Sequence, residues 1–388
     1  MAILAGEIGE QTKLALFSHK FDGKKMIIDQ LIAQSEIFPT KRYEIQEKNG
    51  RKTLNTKAML DDFLKDHYYG SEDLYGEGLD RKILGVCFGI ASVIKGDKRN
   101  KEVTIYRPAL DLDITFSESD FQNYFPCPIP VLFINDMVAI GKKIFIPEYE
   151  PECQVLYRGK IESESNGNSK DNKALMLVSG GLGQALWYWN DAKKVFTPKS
   201  SEGGHGLFAP RTQEEGELWL HLLKERKQVI SYEYVLSSPG LVRIYKYLES
   251  TGRYGEGGAE VRQLLDQYQN DSTPIINEAI DNPNSLSMAA LNMFISIMGA
   301  RAGDLALTYE AKGGIYIGGI SSIPLDKLKD GIFTEAFLAK EGSFREYNEK
   351  IPVYVYPEQD SVLLGAARHA VDEGVVPDGK LAYKRINC

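Results

Sequence analysis

Runs of hydrophobic residues separated by glycine turns open the chain and predict a β-rich beginning. Residues 2–20 have the pattern of two strands joined by a glycine-containing turn at residues 6–12. A third apolar run follows at residues 26–32, then a helical pattern at residues 56–67 and a buried-strand run at residues 83–88. The predicted order is therefore strand, strand, strand, helix, strand.

Two later segments pass from an apolar run into a polar or glycine-rich turn. The run at residues 131–134 is followed at once by Asn135 and Asp136 and then by a helix-compatible stretch. A strand at residues 174–178 ends in a glycine-rich turn at residues 179–183, and another strand follows. Ligands gather at the carboxyl ends of strands in open α/β sheets, so both turns are candidate binding positions.

The rest of the chain alternates helices and strands. Residues 286–307 predict a long core helix, and residues 362–371 predict an alanine-rich helix near the end. A strand at residues 314–317 ends in two glycines, whereas the polar residues 162–172 indicate a surface loop. Two α/β lobes around a cleft are the simplest arrangement of these elements.

Composition and charge narrow the classes of function. The 388 residues carry a formal net charge of −8, which disfavours nucleic acid as a partner. No basic segment precedes an apolar run at the N-terminus and no apolar run approaches the roughly 18 residues of a membrane span, so we expect a cytoplasmic protein without a membrane partner. The four cysteines form no CxxC pair, so neither disulfides nor a zinc site is expected.

Asp136 is the first candidate for chemistry. Transfer of a phosphoryl group to an alcohol needs a carboxylate that accepts the hydroxyl proton. Asp136 follows a buried strand beside Asn135, whose amide can bind hydroxyl groups. Asn-Asp is also a common start of a helix, and from the dipeptide alone capping is the stronger interpretation.

The segment Glu202-Gly203-Gly204-His205 is a second candidate. Its glycines would let a ligand approach the backbone while the carboxylate and the imidazole bind hydroxyl groups. A glycine-rich turn with solvated polar side chains fits the pattern equally well. Glu233, between two tyrosines, is by itself most simply a surface charge, so these residues gain significance only as a set.

Three glycine turns could face a nucleotide: residues 6–12, residues 179–183 and Gly318-Gly319. None of them has the P-loop pattern GxxxxGK[ST], and none has GxGxxG at the start of a helix. P-loop and Rossmann mechanisms are therefore disfavoured.

Several segments, taken in order, resemble the bacterial glucokinase family. They are FINDMVAIG (133–141), SEGGHGLFAP (201–210), YEYVLSSPGLVRIY (232–245), IMGARAGDLAL (297–307) with GGIYIGGI (313–320), and FREYNEKIPVYVYPEQDSVLLGAARHA (344–370). The resemblance implies the two-lobed α/β fold of hexokinases and actin-like ATPases, also called ribonuclease H-like, with a cleft between the lobes. Residues 1–140 with about 362–388 would form the small lobe, and residues 141–361 the large lobe.

The resemblance also implies roles for individual residues. Asp136 matches the catalytic base. The residues that would bind the sugar are Asn135, Glu202, Gly204, His205 and Glu233. The residues that would line the ATP site are Glu7, Gly9, Thr12, Ser179, Gly180, Gly181, Gly183, Gly318 and Gly319. Glu7 would hold Mg²⁺, and a homodimer is expected because family members commonly form one.

The phosphate loops depart from the family pattern. The first loop usually reads DxGGT, but here Glu7 replaces the aspartate, Glu10 replaces a glycine, and the loop is one residue short. The second loop usually reads GTGLG and here reads SGGLG at residues 179–183. A carboxylate beside a polyphosphate would repel it, so Glu10 must point away from the phosphates if ATP binds here.

These observations lead to one hypothesis and two alternatives. The hypothesis is an ATP- and Mg²⁺-dependent hexose kinase that converts glucose to glucose 6-phosphate. The first alternative is a sugar-binding paralogue with impaired catalysis that acts as a sensor or regulator, because an intact sugar set stands beside altered phosphate loops. The second is a kinase with another donor, such as ADP or polyphosphate, or another sugar.

Overall fold

The structure is a computed structural model that describes most of the chain. The described residues are 2–21, 26–67, 83–96, 100–107, 111–125, 129–145, 153–160, 170–268, 270–356 and 360–373. Most of the surface loop predicted at residues 162–172 lies outside them. The chain forms two compact units, one of Met1–Glu150 with Gln359–Cys388 and one of Pro151–Glu358.

Among the described residues, the first unit begins with strands and three α-helices. In chain order they are β1 (Ala2–Ile8), β2 (Gln11–Phe21), β3 (Met26–Gln34), β4 (Phe38–Pro39), β5 (Glu44–Gln46), β6 (Lys52–Leu54), α1 (Thr56–His67), β7 (Ile83–Ile90), β8 (Ile94–Gly96), β9 (Lys101–Arg107), β10 (Leu112–Ser117), α2 (Glu118–Gln122), β11 (Val131–Asn135) and α3 (Asp136–Ile144).

The main sheet of the first unit has the order β11-β7-β1-β2-β3, with β4 beside β2. β1 and β7 lie inside this sheet and are buried along nearly their whole length, as expected for strands covered on both faces. β1 and β2 form an antiparallel hairpin, whereas β7 runs parallel to β1 and β11. The predicted hairpin, the strands that follow it and helix α1 are confirmed.

The turn of the opening hairpin is shorter than the sequence predicted. Glu7 is still part of the ladder between β1 and β2, so only Gly9 and Glu10 form what we name the hairpin turn. The glycine content suggested a wider turn, but Gly6 lies inside β1 for a packing reason. A Cβ atom at Gly6 would lie 2.4 Å from the ring of Phe88.

A second sheet of the first unit has the order β5-β6-β10-β9-β8. The sequence did not predict β9 or β10, although Val103, Ile105 and Ile114 are buried in the alternating pattern of strands with one covered face. The alternation is hard to recognise because Tyr106, which is exposed, is also hydrophobic.

In its described residues the second unit contains one sheet and most of the α-helices. In chain order its elements are β12 (Gln154–Tyr157), β13 (Lys173–Val178), β14 (Leu182–Asn190), β15 (Val195–Ser201), α4 (Gln213–Arg226), α5 (Tyr232–Val235), α6 (Ser238–Thr251), α7 (Ala259–Gln267), α8 (Thr273–Asp281), α9 (Leu286–Thr308), β16 (Ile315–Gly318), α10 (Leu325–Lys329), α11 (Ile332–Leu338), α12 (Ser343–Glu349) and β17 (Val353–Val355). The strand order is β12-β17-β16-β13-β14-β15. After β17 the chain adds α13 (Ser361–Asp372) to the first unit.

Helix α9 is the core helix of the second unit, as the sequence predicted. It is apolar on all sides, which is typical of a helix surrounded by other elements. By length and composition it could also cross a membrane, which corrects the expectation that no apolar run is long enough. However, 78% of its 18-residue apolar window is buried inside the protein.

Helix α13 packs against α3, the helix that begins with Asp136, and small residues allow the close approach. A Cβ atom at Gly365 would lie 1.7 Å from the carbonyl oxygen of Ala139. A Cβ atom at Gly89 of β7 would lie 2.3 Å from Cγ1 of Val362. These contacts fix the position of α3 within the first unit.

We expect Gly365→Ala to lower the free energy of unfolding by about 3 kcal/mol, because the added methyl group overlaps a backbone oxygen that cannot move without shifting α3. Gly216→Ala is the matched control, since Gly216 also lies in a helix but has no atom within 4 Å of its Cβ position. This control should gain up to about 1 kcal/mol from helix propensity. Equal thermal unfolding midpoints for the two variants would contradict the packing argument.

His369 on α13 is expected to make stability depend on pH. Burial, with a smaller effect of the Lys142 and Lys101 ammonium groups, lowers its pKa from 6.5 to about 3. The unfolded chain therefore binds a proton that the folded protein excludes, and stability present at neutral pH is lost as the pH falls below about 6.5. The expected loss is up to about 1.4 kcal/mol per pH unit. Urea unfolding at neutral pH and at pH ~5 measures the loss of unfolding free energy between the two. This loss should be smaller for His369→Gln than for the unmodified protein. An equal loss in the two proteins would exclude His369 as its source.

Candidate functional site

Asn135 and Asp136 lie where β11 ends and α3 begins. The Asn135 side chain accepts a hydrogen bond from the backbone N–H of Met137 at 3.1 Å, so the capping interpretation is confirmed for Asn135. Asp136 is the first residue of the helix, where the partial positive charge of the N-terminus stabilises a carboxylate. Capping occupies only the amide oxygen of Asn135, and its amide NH₂ group is not part of that bond.

β11 is an edge strand, and two side chains replace the missing neighbouring strand at Phe133. Glu118 accepts a hydrogen bond from the Phe133 N–H at 2.8 Å, and the Lys101 ammonium donates to the Phe133 carbonyl at 2.7 Å. Glu118 is only 5% exposed, so this is a buried connection to the strand that ends in Asn135. No sequence pattern indicated this connection, because Lys101 and Glu118 lie 32 and 15 residues before Phe133 along the chain.

The residues from 201 to 206, here named the histidine turn, carry Glu202 and His205. The His205 Nε2 atom lies 3.9 Å from the Glu202 carboxylate, and its Nδ1 atom lies 3.7 Å from the Glu233 carboxylate. The side chains of Glu202 and His205 are both 61% exposed. Gly204 is buried, and a Cβ atom there would lie 2.1 Å from the carbonyl oxygen of Leu182. The structure thus brings three predicted sugar residues together.

Glu233 is the first acidic residue of the short helix α5, and its side chain is half-buried. Its Oε2 atom accepts a hydrogen bond from the backbone N–H of Leu182 at 3.1 Å. A Cβ atom at Gly181 would lie 2.9 Å from the same oxygen. Glu233 is therefore packed against the turn between β13 and β14 and is not simply a solvated surface charge.

The turn between β13 and β14, here named the glycine turn, comprises Ser179, Gly180 and Gly181. Ser179 and Gly180 are exposed. The turn is closed by a bond from the Ser179 N–H to the Gly181 carbonyl at 3.0 Å, and the Ser179 carbonyl accepts from the Ser238 N–H at 2.7 Å. Gly183 lies in β14, opposite Leu177. The glycine turn is held at its base while its tip remains accessible.

The hairpin turn is held by Thr40. The Thr40 hydroxyl donates to the Gly9 carbonyl at 2.7 Å, and the Thr40 N–H donates to the Glu10 carbonyl at 3.0 Å. Because that hydroxyl hydrogen is used, the Thr12 hydroxyl, 2.7 Å away, must be the donor between the two threonines. Thr12 is 1% exposed, whereas the Glu10 side chain is exposed. The Gly9 N–H is also bonded within the turn, to the Gln11 carbonyl.

Glu7, at the end of β1, has a perturbed carboxyl group. Burial raises its pKa; the Lys13 ammonium acts in the opposite direction, and the Asp360 carboxylate raises the pKa further. Lys13 and Asp360 form an ion pair of 2.7 Å. Among the described residues no group of three or more His, Cys, Asp or Glu side chains could hold a metal ion. A cation at Glu7 would therefore need ligands from a substrate or water.

Gly318 is the last, buried residue of β16, and Gly319 follows it. A Cβ atom at Gly318 would lie 2.2 Å from the ring of Tyr356. Gly319 has a φ of +82°, and a Cβ atom there would lie 2.0 Å from the carbonyl oxygen of Val178. Close packing explains both glycines, and a role beside adenosine stays a prediction.

Comparison with known proteins gives a match over nearly the whole chain. The profile of the glucokinase family matches residues 6–373. A glucokinase of Salmonella paratyphi B is 31% identical over 342 residues, which cover 87% of this chain and 91% of the relative.

Two solved structures show that the fold is shared. The glucokinase of Balamuthia mandrillaris, in complex with glucose, has a TM-score of 0.69 at 17% identity and covers 96% of this chain and 93% of its own. A ROK family glucokinase of Streptomyces griseus, in complex with glucose and AMPPNP, has a TM-score of 0.57 at 17% identity and covers 96% of this chain and 100% of its own.

We expect Thr40→Val to lower the free energy of unfolding by about 2 kcal/mol, because it leaves the Gly9 carbonyl and the Thr12 hydroxyl without their partner in a buried place. Thr40→Ser keeps the hydroxyl and should lose less than the valine variant. Urea unfolding of both variants tests the role of the hydroxyl. A valine variant as stable as the unmodified protein would exclude the Thr40 hydroxyl as a source of stability.

Proposed function

The chain belongs to the glucokinase family, and on that premise we propose that it transfers the γ-phosphoryl group of ATP to the 6-hydroxyl of glucose. The observation that carries the proposal is the convergence of Glu202, His205 and Glu233, with Glu233 bonded to the N–H of Leu182, directly after the glycine turn. Two carboxylates and an imidazole offer acceptors and a donor for several sugar hydroxyls at once. A sugar held there also lies beside a turn that is open to phosphate.

Sugar binding is assigned to the exposed polar atoms of this set. The side chains of Glu202 and His205 are more than half exposed and lie 3.9 Å apart, so a hydroxyl group can take the place of water between them. Gly204 carries no side chain that would crowd the ligand, and its buried backbone holds the turn in place. Asn135, whose amide NH₂ group is not used in capping, is also assigned to sugar binding, as a donor.

Asp136 is assigned as the general base. Its carboxylate accepts the proton of the 6-hydroxyl while the hydroxyl oxygen attacks the γ-phosphorus and the bond from that phosphorus to the ADP oxygen breaks in line. The start of α3 and the packing of α13 fix its position, which is the contribution that positioning makes to such a reaction.

The phosphates of ATP are assigned to the glycine turn and the hairpin turn. Gly180 and Gly181 offer backbone N–H groups and Ser179 offers a hydroxyl, whereas the Ser179 N–H is used to close the turn. The Gly9 N–H is already bonded within the hairpin turn, and Thr12 is buried. These two residues therefore contribute to phosphate binding through the shape of the turn. Gly183, Gly318 and Gly319 are assigned to the same nucleotide site, the last two beside adenosine.

Glu7 fits Mg²⁺ through its chemistry. Mg²⁺ is usually bound by one or two carboxylates together with substrate phosphates and water, and a buried carboxyl group whose pKa is raised gains most from a nearby cation. When bound, Mg²⁺ would neutralise charge on the β- and γ-phosphate oxygens.

The alternatives are less well supported. A catalytically impaired sensor is not favoured, because the family match spans both the sugar residues and the phosphate turns, and the Glu10 backbone is tied to Thr40. Use of another donor or hexose stays open to experiment. We further propose that the two units are the two lobes of the family fold, and that the protein acts in the cytoplasm as a homodimer.

We expect Asp136→Asn to lower the turnover number by at least about 100-fold, because the amide cannot accept the hydroxyl proton. The glucose dissociation constant should change by less than about twofold, since a base acts in the transition state. A coupled assay of ADP release with Mg-ATP and a panel of hexoses measures the first quantity, and calorimetry measures the second.

The matched control is Asp113→Asn, which makes the same change at an exposed position of β10 in the same unit. It should keep the activity of the unmodified protein. Normal turnover in Asp136→Asn would remove Asp136 from the mechanism. Glucose binding without turnover in the unmodified protein would support the sensor.

A further inference from the structure

Arg301 on α9 contacts three separate segments of the second unit. Its Nη2 atom donates hydrogen bonds to the carbonyl oxygen of Gly203 at 3.0 Å and to Oε1 of Gln184 at 2.9 Å. Its guanidinium carbon lies 4.5 Å from the centre of the Tyr232 ring. Each of these neighbours adjoins a proposed site residue in sequence: Glu202, Gly183 or Glu233.

In these contacts the positively charged side chain of Arg301 binds neutral groups. The two hydrogen bonds go to a carbonyl oxygen and to an amide oxygen, and bonds from a charged donor are stronger than bonds between neutral groups. Gln184 is fully buried, so its amide has no access to solvent as an alternative partner. The contact with the Tyr232 ring is a cation–π interaction. Arg301 therefore connects β14, the histidine turn and α5.

The histidine turn needs such support because its functional side chains are not held by each other. The Gly203 N–H donates to the Ser201 hydroxyl at 3.0 Å, and that hydroxyl also accepts from Tyr309 at 2.9 Å. The Gly203 carbonyl bonds to Arg301. The Gly203 carbonyl also accepts from the Gly206 N–H at 3.1 Å, so Arg301 and, through Ser201, Tyr309 add bonds from outside to a turn that is also bonded internally.

Tyr232 is fixed in a similar way. Its hydroxyl donates to Asp304, one turn after Arg301 on α9, at 3.1 Å, and its N–H donates to the Gly206 carbonyl at 2.8 Å. The Tyr232 ring therefore lies between two charged side chains of one helix. The position of the ring sets the direction in which the side chain of the next residue, Glu233, projects from α5.

We propose that Arg301 is a positioning residue for sugar binding, an inference that rests on the proposed function. It holds the peptide after Glu202 and the ring before Glu233, so that the two carboxylates face the same ligand. Gly203 makes this possible, because a Cβ atom there would lie 2.3 Å from Gln184 Oε1 and 3.3 Å from the Arg301 guanidinium. In this role Arg301 acts on the ligand through Gly203 and Tyr232.

The test compares glucose binding and kinetics of Arg301→Met, Arg301→Lys and the unmodified protein. Arg301→Met should weaken glucose binding by about tenfold or more, because small displacements of binding groups have large effects. The KM for Mg-ATP should change by less than about twofold, since the glycine turn keeps its own hydrogen bonds. Arg301→Lys keeps the charge but not the planar fork, so its loss should be intermediate.

Asn348→Ala is the control for lost stability. Asn348 is buried, and its amide donates to the carbonyl of Gly303, which lies on α9 like Arg301, and to the carbonyl of Phe337. These bonds do not involve the histidine turn. Gln184→Met removes one acceptor of Arg301 and should weaken glucose binding in the same direction. It provides a second measurement if Arg301→Met does not fold.

Calorimetry with glucose alone distinguishes a failure of the positioning role from a failure of the proposed function. Weakened glucose binding in the Arg301 and Gln184 variants, with unchanged binding in Asn348→Ala, would support the positioning role. Equally weakened glucose binding in Asn348→Ala, or equally weakened binding of Mg-ATP and glucose, would show that Arg301 is only a structural core residue. The proposed kinase activity would not be affected by that result. Absence of glucose binding and turnover in the unmodified protein would overturn the proposed function and this inference together.

Discussion

Backbone hydrogen bonding at the ends of strands is the constraint on which the site depends. A strand that ends in a ligand-binding turn leaves N–H and carbonyl groups without ladder partners, and burial makes such groups costly. This protein supplies partners from distant side chains: Thr40 for the hairpin turn, Arg301 for the histidine turn and Glu118 for the strand before Asn135. Each partner fixes the backbone of a turn or of a strand end, and in the histidine turn Glu202 and His205 stay exposed.

The glycines of the site serve packing as much as ligand approach. Gly204 lies against the carbonyl of Leu182, and Gly319 lies against the carbonyl of Val178 at a positive φ that favours glycine. Close backbone contacts of this kind hold neighbouring turns in a fixed relation. A glycine-rich motif in the sequence therefore does not by itself distinguish a ligand site from a tightly packed turn.

Glu233 joins the two halves of the chemistry within the second unit. One carboxylate oxygen lies near His205, and the other accepts the N–H of Leu182 directly after the glycine turn. On the proposed function, a sugar bound at Glu233 and a phosphate at the glycine turn share one hydrogen-bonded connection. The phosphate turns depart from the family pattern, but the hydrogen-bonded connection between Glu233 and the end of the glycine turn is present.

The sequence by itself determined the local elements and the family. The hairpin, α1, β7, β11 with α3, the β13–β14 hairpin and α9 were predicted because periodicity and turn residues act over a few positions. The family followed from the order of its motifs, and so did the roles proposed for Asp136 and Glu202. The width of the hairpin turn, the sheet that contains β9 and β10, and the contacts of Thr40 and Arg301 were decided only by the tertiary structure. They join residues far apart in the chain, and no local pattern encodes which distant side chain will satisfy a given backbone group.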